Sequence, residues 1–92
     1  EVLTLFPNFP NPFNAQTVIN YQLPEASPVE FSIYNMAGQR IRHLLTAVQG
    51  SGLHSMTWDG TDDAGRAVGT GMYMYQLSTG HDVRTSRLLL VK

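Results

Sequence analysis

Thr17-Val18-Ile19-Asn20-Tyr21-Gln22-Leu23 alternates side chains of two kinds, Pro24-Glu25-Ala26-Ser27-Pro28 interrupts it, and Val29-Glu30-Phe31-Ser32-Ile33-Tyr34 resumes it. Successive side chains of a strand point to opposite faces, so a period of two marks a half-buried strand. Ile19, Tyr21 and Leu23 share one face, and Val18, Asn20 and Gln22 share the other. Two prolines fix φ and remove ladder donors, so residues 24–28 read as a turn. The stretch is a strand, a turn and a second strand.

The same period extends outward in both directions. Asn35-Met36-Ala37-Gly38 reads as a turn with Gly38 at positive φ. Gln39 to Val48 is ambiguous, because Ile41, Leu44, Leu45 and Val48 also fit helical spacing; its β-rich surroundings and Gly50 and Gly52 favour a strand with a bulge. Leu53 to Trp58 alternates again, with His54, Met56 and Trp58 on one side, His54 inward with one nitrogen bonded to backbone. Gly71 to Thr79 is a strong strand, Gly80-His81-Asp82 a tight turn, and Val83 to Val91 the last strand. With a short strand at Val2 to Phe6, about seven strands recur every 8–12 residues or so, as in a β-sandwich. Phe6-Pro7-Asn8-Phe9-Pro10-Asn11-Pro12-Phe13-Asn14 carries three prolines and cannot be an interior strand. It is expected to follow a polyproline-like path along an edge, anchored by Phe9 and Phe13.

Composition narrows the function. Ninety-two residues suit one domain, with no cysteine for a disulfide framework or a Cys-type zinc site. Apolar residues make up 42% and charged residues 14%, with a net charge of −1, which argues against a basic nucleic-acid footprint. No apolar run is long enough for a membrane span. The low charge and abundant Ser, Thr, Asn, Gln and Gly fit an extracellular β-protein, and the abrupt ends at Glu1 and Lys92 suggest part of a longer chain.

Candidate chemistry is sparse. Asp59, Asp62 and Asp63 could offer oxygens to calcium, but their spacing does not match the twelve-residue calcium loop; the plainer reading is a loop whose aspartates bond its own backbone. His43, His54 and His81 sit on three separate segments without zinc-ligand spacing. No serine lies in a nucleophile elbow and no glycine cluster opens a helix, so neither a catalytic residue nor a cofactor is expected. Trp58, Tyr73 and Tyr75 would form a sugar platform only on an exposed face, and their alternation assigns them to the core.

An ordered set of short motifs adds a resemblance. Pro10-Asn11-Pro12-Phe13-Asn14 comes first, then Ile19-x-Tyr21-x-Leu23-Pro24-Glu25 and Ile33-Tyr34-Asn35-x-x-Gly38-Gln39. Gly52-x-His54-x-Met56-x-Trp58-Asp59-Gly60-x-Asp62-x-x-Gly65, Gly71-x-Tyr73-x-Tyr75-x-Leu77 and Arg87-Leu88-Leu89-Leu90-Val91-Lys92 follow. The set resembles the type A C-terminal sorting domain of proteins exported by the bacterial type IX secretion system, and the related Ig-like domain of the flagellar hook-capping protein. Ala15, Thr70, Gln76 and Arg87-Leu88 depart from common residues of that pattern, without removing a glycine or a core aromatic.

The resemblance implies an all-β, Ig-like antiparallel sandwich, with residues 1–92 forming a single C-terminal sorting or accessory domain of a larger secreted protein. Its implied partners are an outer-membrane secretion translocon, a sortase-like peptidase and an N-terminal cargo domain of the same chain. The implied location is secreted or cell-surface, reached through the periplasm and outer membrane. Recognition in that family is associated with the last strand and its basic end, so Arg87, Leu89, Val91 and Lys92 inherit that expectation. The alternatives are a structural Ig-like accessory module of a secreted hydrolase and, behind it, a carbohydrate-binding module.

Overall fold

A computed structural model describes residues 2–92. Among the described residues seven strands follow one another: β1 (Thr4–Leu5), β2 (Thr17–Leu23), β3 (Ser27–Asn35), β4 (Arg40–Gln49), β5 (Gly52–Trp58), β6 (Gly71–Ser78) and β7 (Val83–Leu90). They form two antiparallel sheets, one of order β1-β2-β5 and one of order β4-β3-β6-β7. This is an all-β, Ig-like sandwich in which the fourth strand pairs with β3 instead of joining the first sheet.

The expected faces hold. Ile19, Tyr21 and Leu23 have no exposed surface, and opposite them Phe31, Ile33, Tyr75 and Leu77 are equally enclosed. Aromatic rings bridge the sheets: Tyr21 meets Phe31 at 5.5 Å between centroids, and Trp58 meets Tyr73 at 5.4 Å in an edge-on arrangement. Such pairs add roughly 0.5–1.5 kcal/mol each beyond their area. The phenol of Tyr75 donates to the Phe6 carbonyl and that of Tyr73 to the Gly69 carbonyl, so their polar ends are bonded as well. His54 is half-buried on the Trp58 side of β5, stacked on Tyr21, with Nε2 bonded to the Gly50 carbonyl.

Gly38 takes φ +84 in the Asn35–Gly38 turn, as its position requires. The Asn35 side chain holds that turn by accepting from the Ala37 and Gln39 N–H groups. The segment that also fits helical spacing is a strand with two irregularities: Leu44 is an extra residue between the Phe31–Leu45 and Ser32–His43 pairs, and Ile41 another between Ile33–Arg42 and Tyr34–Arg40. Each insertion resets the alternation, so Ile41, Leu44 and Leu45 all pack on the core. Helix-like spacing here comes from a twice-bulged strand.

The proline segment differs from expectation in two ways. Phe13 is buried beside Trp58 at 5.6 Å, but Phe9 is 77% exposed and its ring does not reach the core. Phe9 exchanges both backbone bonds with Val18, which turns its ring to the solvent side of the first sheet. The chain then bends at Pro10–Pro12 instead of running straight, and Phe13 pairs in parallel with Leu90 of the second sheet. Asn8 fixes the bend, its Nδ2 donating to Thr17 Oγ1 and to the Pro10 carbonyl. The segment is a strap that crosses from one sheet to the other. Strand ends shift slightly: β1 is shorter than Val2–Phe6, β7 ends at Leu90, and β3 begins at Ser27, inside the expected turn.

Trp58→Ala is expected to cost about 3–5 kcal/mol, because the indole is wholly enclosed. Urea unfolding measures this, and a loss below about 1 kcal/mol would contradict it.

Candidate functional site: the closing strand and its edge

Strand β7 pairs with β6 in unbroken register from Gly71–Leu90 to Ser78–Val83. Leu88 and Leu90 point into the core, which turns Arg87 and Leu89 to the outer face. Their cross-strand neighbours there are Met74 and Met72. Arg87, Leu89 and Met72, with Asn11 and Pro12 of the strap, line an open groove of about 460 Å³. Among the described residues Arg87 enters no ion pair, whereas Arg84 lies 3.9 Å from Asp82. The result is an apolar and cationic strip.

The four expected recognition residues do not gather at one place. Arg87 and Leu89 lie side by side in that groove. Val91 lines a second groove of about 310 Å³ with Pro10, Pro12, Phe13 and Asn14, so Pro12 stands between the two. Lys92 is exposed, with its backbone N–H bonded to Thr70 Oγ1.

The outer edge of β7 is closed at its C-terminal end. Leu89 N–H donates to Asn11 Oδ1, Phe13 N–H donates to the Leu89 carbonyl, and Val91 N–H donates to the Phe13 carbonyl. Backbone groups of an antiparallel edge alternate in direction, so the outward position of Leu89 repeats at Arg87, Thr85 and Val83. The Val83 carbonyl is covered by the Arg84 guanidinium at 3.2 Å. Among the described residues that leaves Thr85, Arg87 and the N–H of Val83 as the open part of the edge. Residue spacing pointed to the strap as an edge but not to Asn11 as its clasp. The available signal was an amide side chain placed between two prolines, neither of which can donate.

The acidic loop serves a different edge. Asp59 Oδ1 accepts from Thr61 N–H and its hydroxyl, and Asp62 Oδ1 accepts from Ala64 and Arg66 N–H at 2.9 Å. These are the expected bonds of the loop to its own backbone. Asp63 does something else: its N–H donates to the Ile41 carbonyl and its Oδ1 accepts from His43 N–H at 2.8 Å, which caps the free edge of β4. The Arg42 guanidinium fastens the loop further through Thr61 Oγ1 and the Asp62 carbonyl. Among the described residues no group of three potential ligands is placed to hold a metal ion. Trp58, Tyr73 and Tyr75 are enclosed and form no exposed sugar platform.

Hydrogen bonds hold two of these carboxyls below the ordinary carboxylate range. For Asp59 the main cause is the Thr61 hydroxyl, and for Asp62 the Arg66 backbone N–H. A depressed folded value contributes stability above the unfolded value, near 3.9, and that contribution is lost as pH falls through the folded one.

A profile of the FlgD Ig-like domain family matches residues 11–82, which takes in β2 to β6 and stops short of β7. No curated protein matches the chain. Dimeric latent PorU from Porphyromonas gingivalis is similar in structure, with a TM-score of 0.73 at 19% identity, over 98% of this chain and 9% of its own. FlgD from P. aeruginosa gives 0.63 at 26% identity, over 80% of this chain and 58% of its own. PorZ from P. gingivalis gives 0.60 at 14% identity, over 98% and 11%. The chain therefore spans less than two thirds of each, and the likeness to PorU and PorZ is one of fold.

Two outcomes are expected. Acidification from about pH 5 to about pH 2 should loosen the loop and change Trp58 fluorescence, since the indole N–H donates to the Thr61 carbonyl. The Asp59→Asn/Asp62→Asn double variant should flatten that titration; an unchanged curve would contradict the assignment. Asn11→Ala should cost about 1 kcal/mol in urea unfolding, by removing the acceptor of Leu89 N–H.

Proposed function

The chain belongs to the FlgD Ig-like domain family, and from that premise we propose that it is a non-catalytic sorting module of a larger secreted protein. In this reading it directs export through the type IX secretion system to the cell surface or medium. The module is read by an outer-membrane translocon and then by a sortase-like peptidase, while the cargo domain precedes it in the same chain. The observation that carries the reading is the outward pair Arg87–Leu89 on a closing strand whose edge is open at Thr85 and Arg87. An extended receptor segment can add to such an edge, with backbone bonds giving affinity and the groove beside Met72 giving selectivity. The likeness in fold to PorU and PorZ supports it, PorZ being described as an essential surface component of the type IX secretion system.

A second reading is a structural Ig-like accessory module. Its support is the 26% identity to FlgD from P. aeruginosa and a family match that lies entirely outside β7.

A reporter carrying residues 1–92 at its C-terminus tests both, in a type IX-competent bacterium with an isogenic translocon mutant and a native sorting domain as controls. Export that depends on the translocon is expected. Truncation of β7 would be uninformative, because it removes Leu88 and Leu90 from the core. Arg87→Glu with Leu89→Asp leaves those side chains in place and is expected to abolish export while the module stays folded. Undiminished export of that variant would overturn the role of the outer face. Retention of the parent reporter, with the control exported, would favour the accessory module.

A further inference from the structure

Three of the four sheet edges carry a visible device against pairing with other strands. Edge β1 is two residues long. Edge β7 is closed by the strap at Leu89 and carries Arg84 and Arg87, which repel a second copy of the same edge. Edge β4 is bulged twice, flanked by Arg40 and Arg42, and capped by Asp63. Short length, bulges, charges and covering segments are the usual ways in which an edge is kept from pairing.

Strand β5 has none of these. Its seven residues pair with β2 in continuous register, without bulge or proline and without Lys, Arg, Asp or Glu. Among the described residues no backbone bond reaches its outer side. Phe6 and Phe9 bond to Asn20 and Val18, so the backbone groups at even positions of β2 face β1. Alternation then directs those of Ile19 and Tyr21 at Met56 and His54, and leaves Leu53, Ser55 and Thr57 with N–H and C=O facing outward. The solvent face beside this edge, formed by Val18, Asn20, Gln22, Leu53, Ser55 and Thr57, has no ionisable side chain, and Leu53 is 70% exposed.

We propose that β5 is a homotypic pairing edge, along which two copies of this chain associate antiparallel about a two-fold axis at Ser55. The register is self-complementary. Ser55 faces Ser55 of the second copy, Leu53 faces its Thr57, and the three outward N–H groups of each copy find three outward carbonyls of the other. The two small sheets become one of order β1-β2-β5-β5-β2-β1. Charge selects this edge, since β5 meets its copy without juxtaposed like charges, whereas β7 against itself would crowd its arginines. The contact is isologous and closed, so it stops at a dimer. Its area falls in the small class below about 1,200 Å², so the dissociation constant is expected between about 1 μM and 1 mM.

The 92-residue chain has no cysteine, which permits a direct test. Facing residues of a hydrogen-bonded antiparallel pair lie about 5.5 Å apart at Cα, within the roughly 4.4–6.8 Å that a disulfide spans. Ser55→Cys is expected to cross-link to a dimer under mild oxidation, and Thr85→Cys on the open part of β7 is expected not to. Sedimentation equilibrium of the unmodified chain should show its mass rising toward the dimer with concentration. Ser55→Lys should abolish that rise with its melting temperature retained. A monomer at millimolar concentration, equal cross-linking at both positions, or dimerisation of Ser55→Lys like the parent would each overturn the proposal.

Discussion

The indole of Trp58 is the point on which four parts of the chain converge. It closes β5, packs its ring against Phe13 of the strap and Tyr73 of β6, and gives its N–H to Thr61 in the acidic loop. Through Phe13 it sets where the strap meets β7, and through Thr61 it sets where the loop meets β4. Closure of two edges on opposite sides of the sandwich therefore depends on one enclosed side chain. A small domain has little else to draw on, since it has no disulfide and buries roughly 60% of its unfolded surface.

Edge management explains features that otherwise read as decoration. The prolines of the strap remove donors where the chain must leave one sheet, and Asn11 supplies an acceptor on reaching the other. The aspartates fold their loop into a shape that presents Asp63 to β4. What stays open is limited and differs in character: a cationic stretch of β7 at Thr85 and Arg87, and an uncharged β5.

Much of this was legible in the sequence, for definite reasons. Period two gave the inward faces of β2, β3 and β6, because each faces a core on one side only. Gly38 was legible because its turn needs a backbone conformation that few other residues adopt. The bulges of β4 were only half legible, since two inserted residues turn a period of two into something close to a helical one. Phe9 and Phe13 look equivalent in the sequence, yet one is exposed and the other enclosed, because the chain changes sheets between them. Least legible were Asn11 on Leu89, 78 residues away, and Asp63 on His43, 20 residues away. Spacing rules describe neighbours along an element, and these bonds join elements that only the fold brings together.

Amide hydrogen exchange, residue by residue, tests the central claim that the outer edge of the last strand is closed by the strap at Leu89 and Val91 and open at Thr85 and Arg87. The account expects Leu89 and Val91 amides to be protected nearly as well as the core, while Thr85 and Arg87 exchange fast. Asn11→Ala should release Leu89 selectively. Uniform exchange along all four amides, or a Leu89 amide indifferent to Asn11, would contradict it.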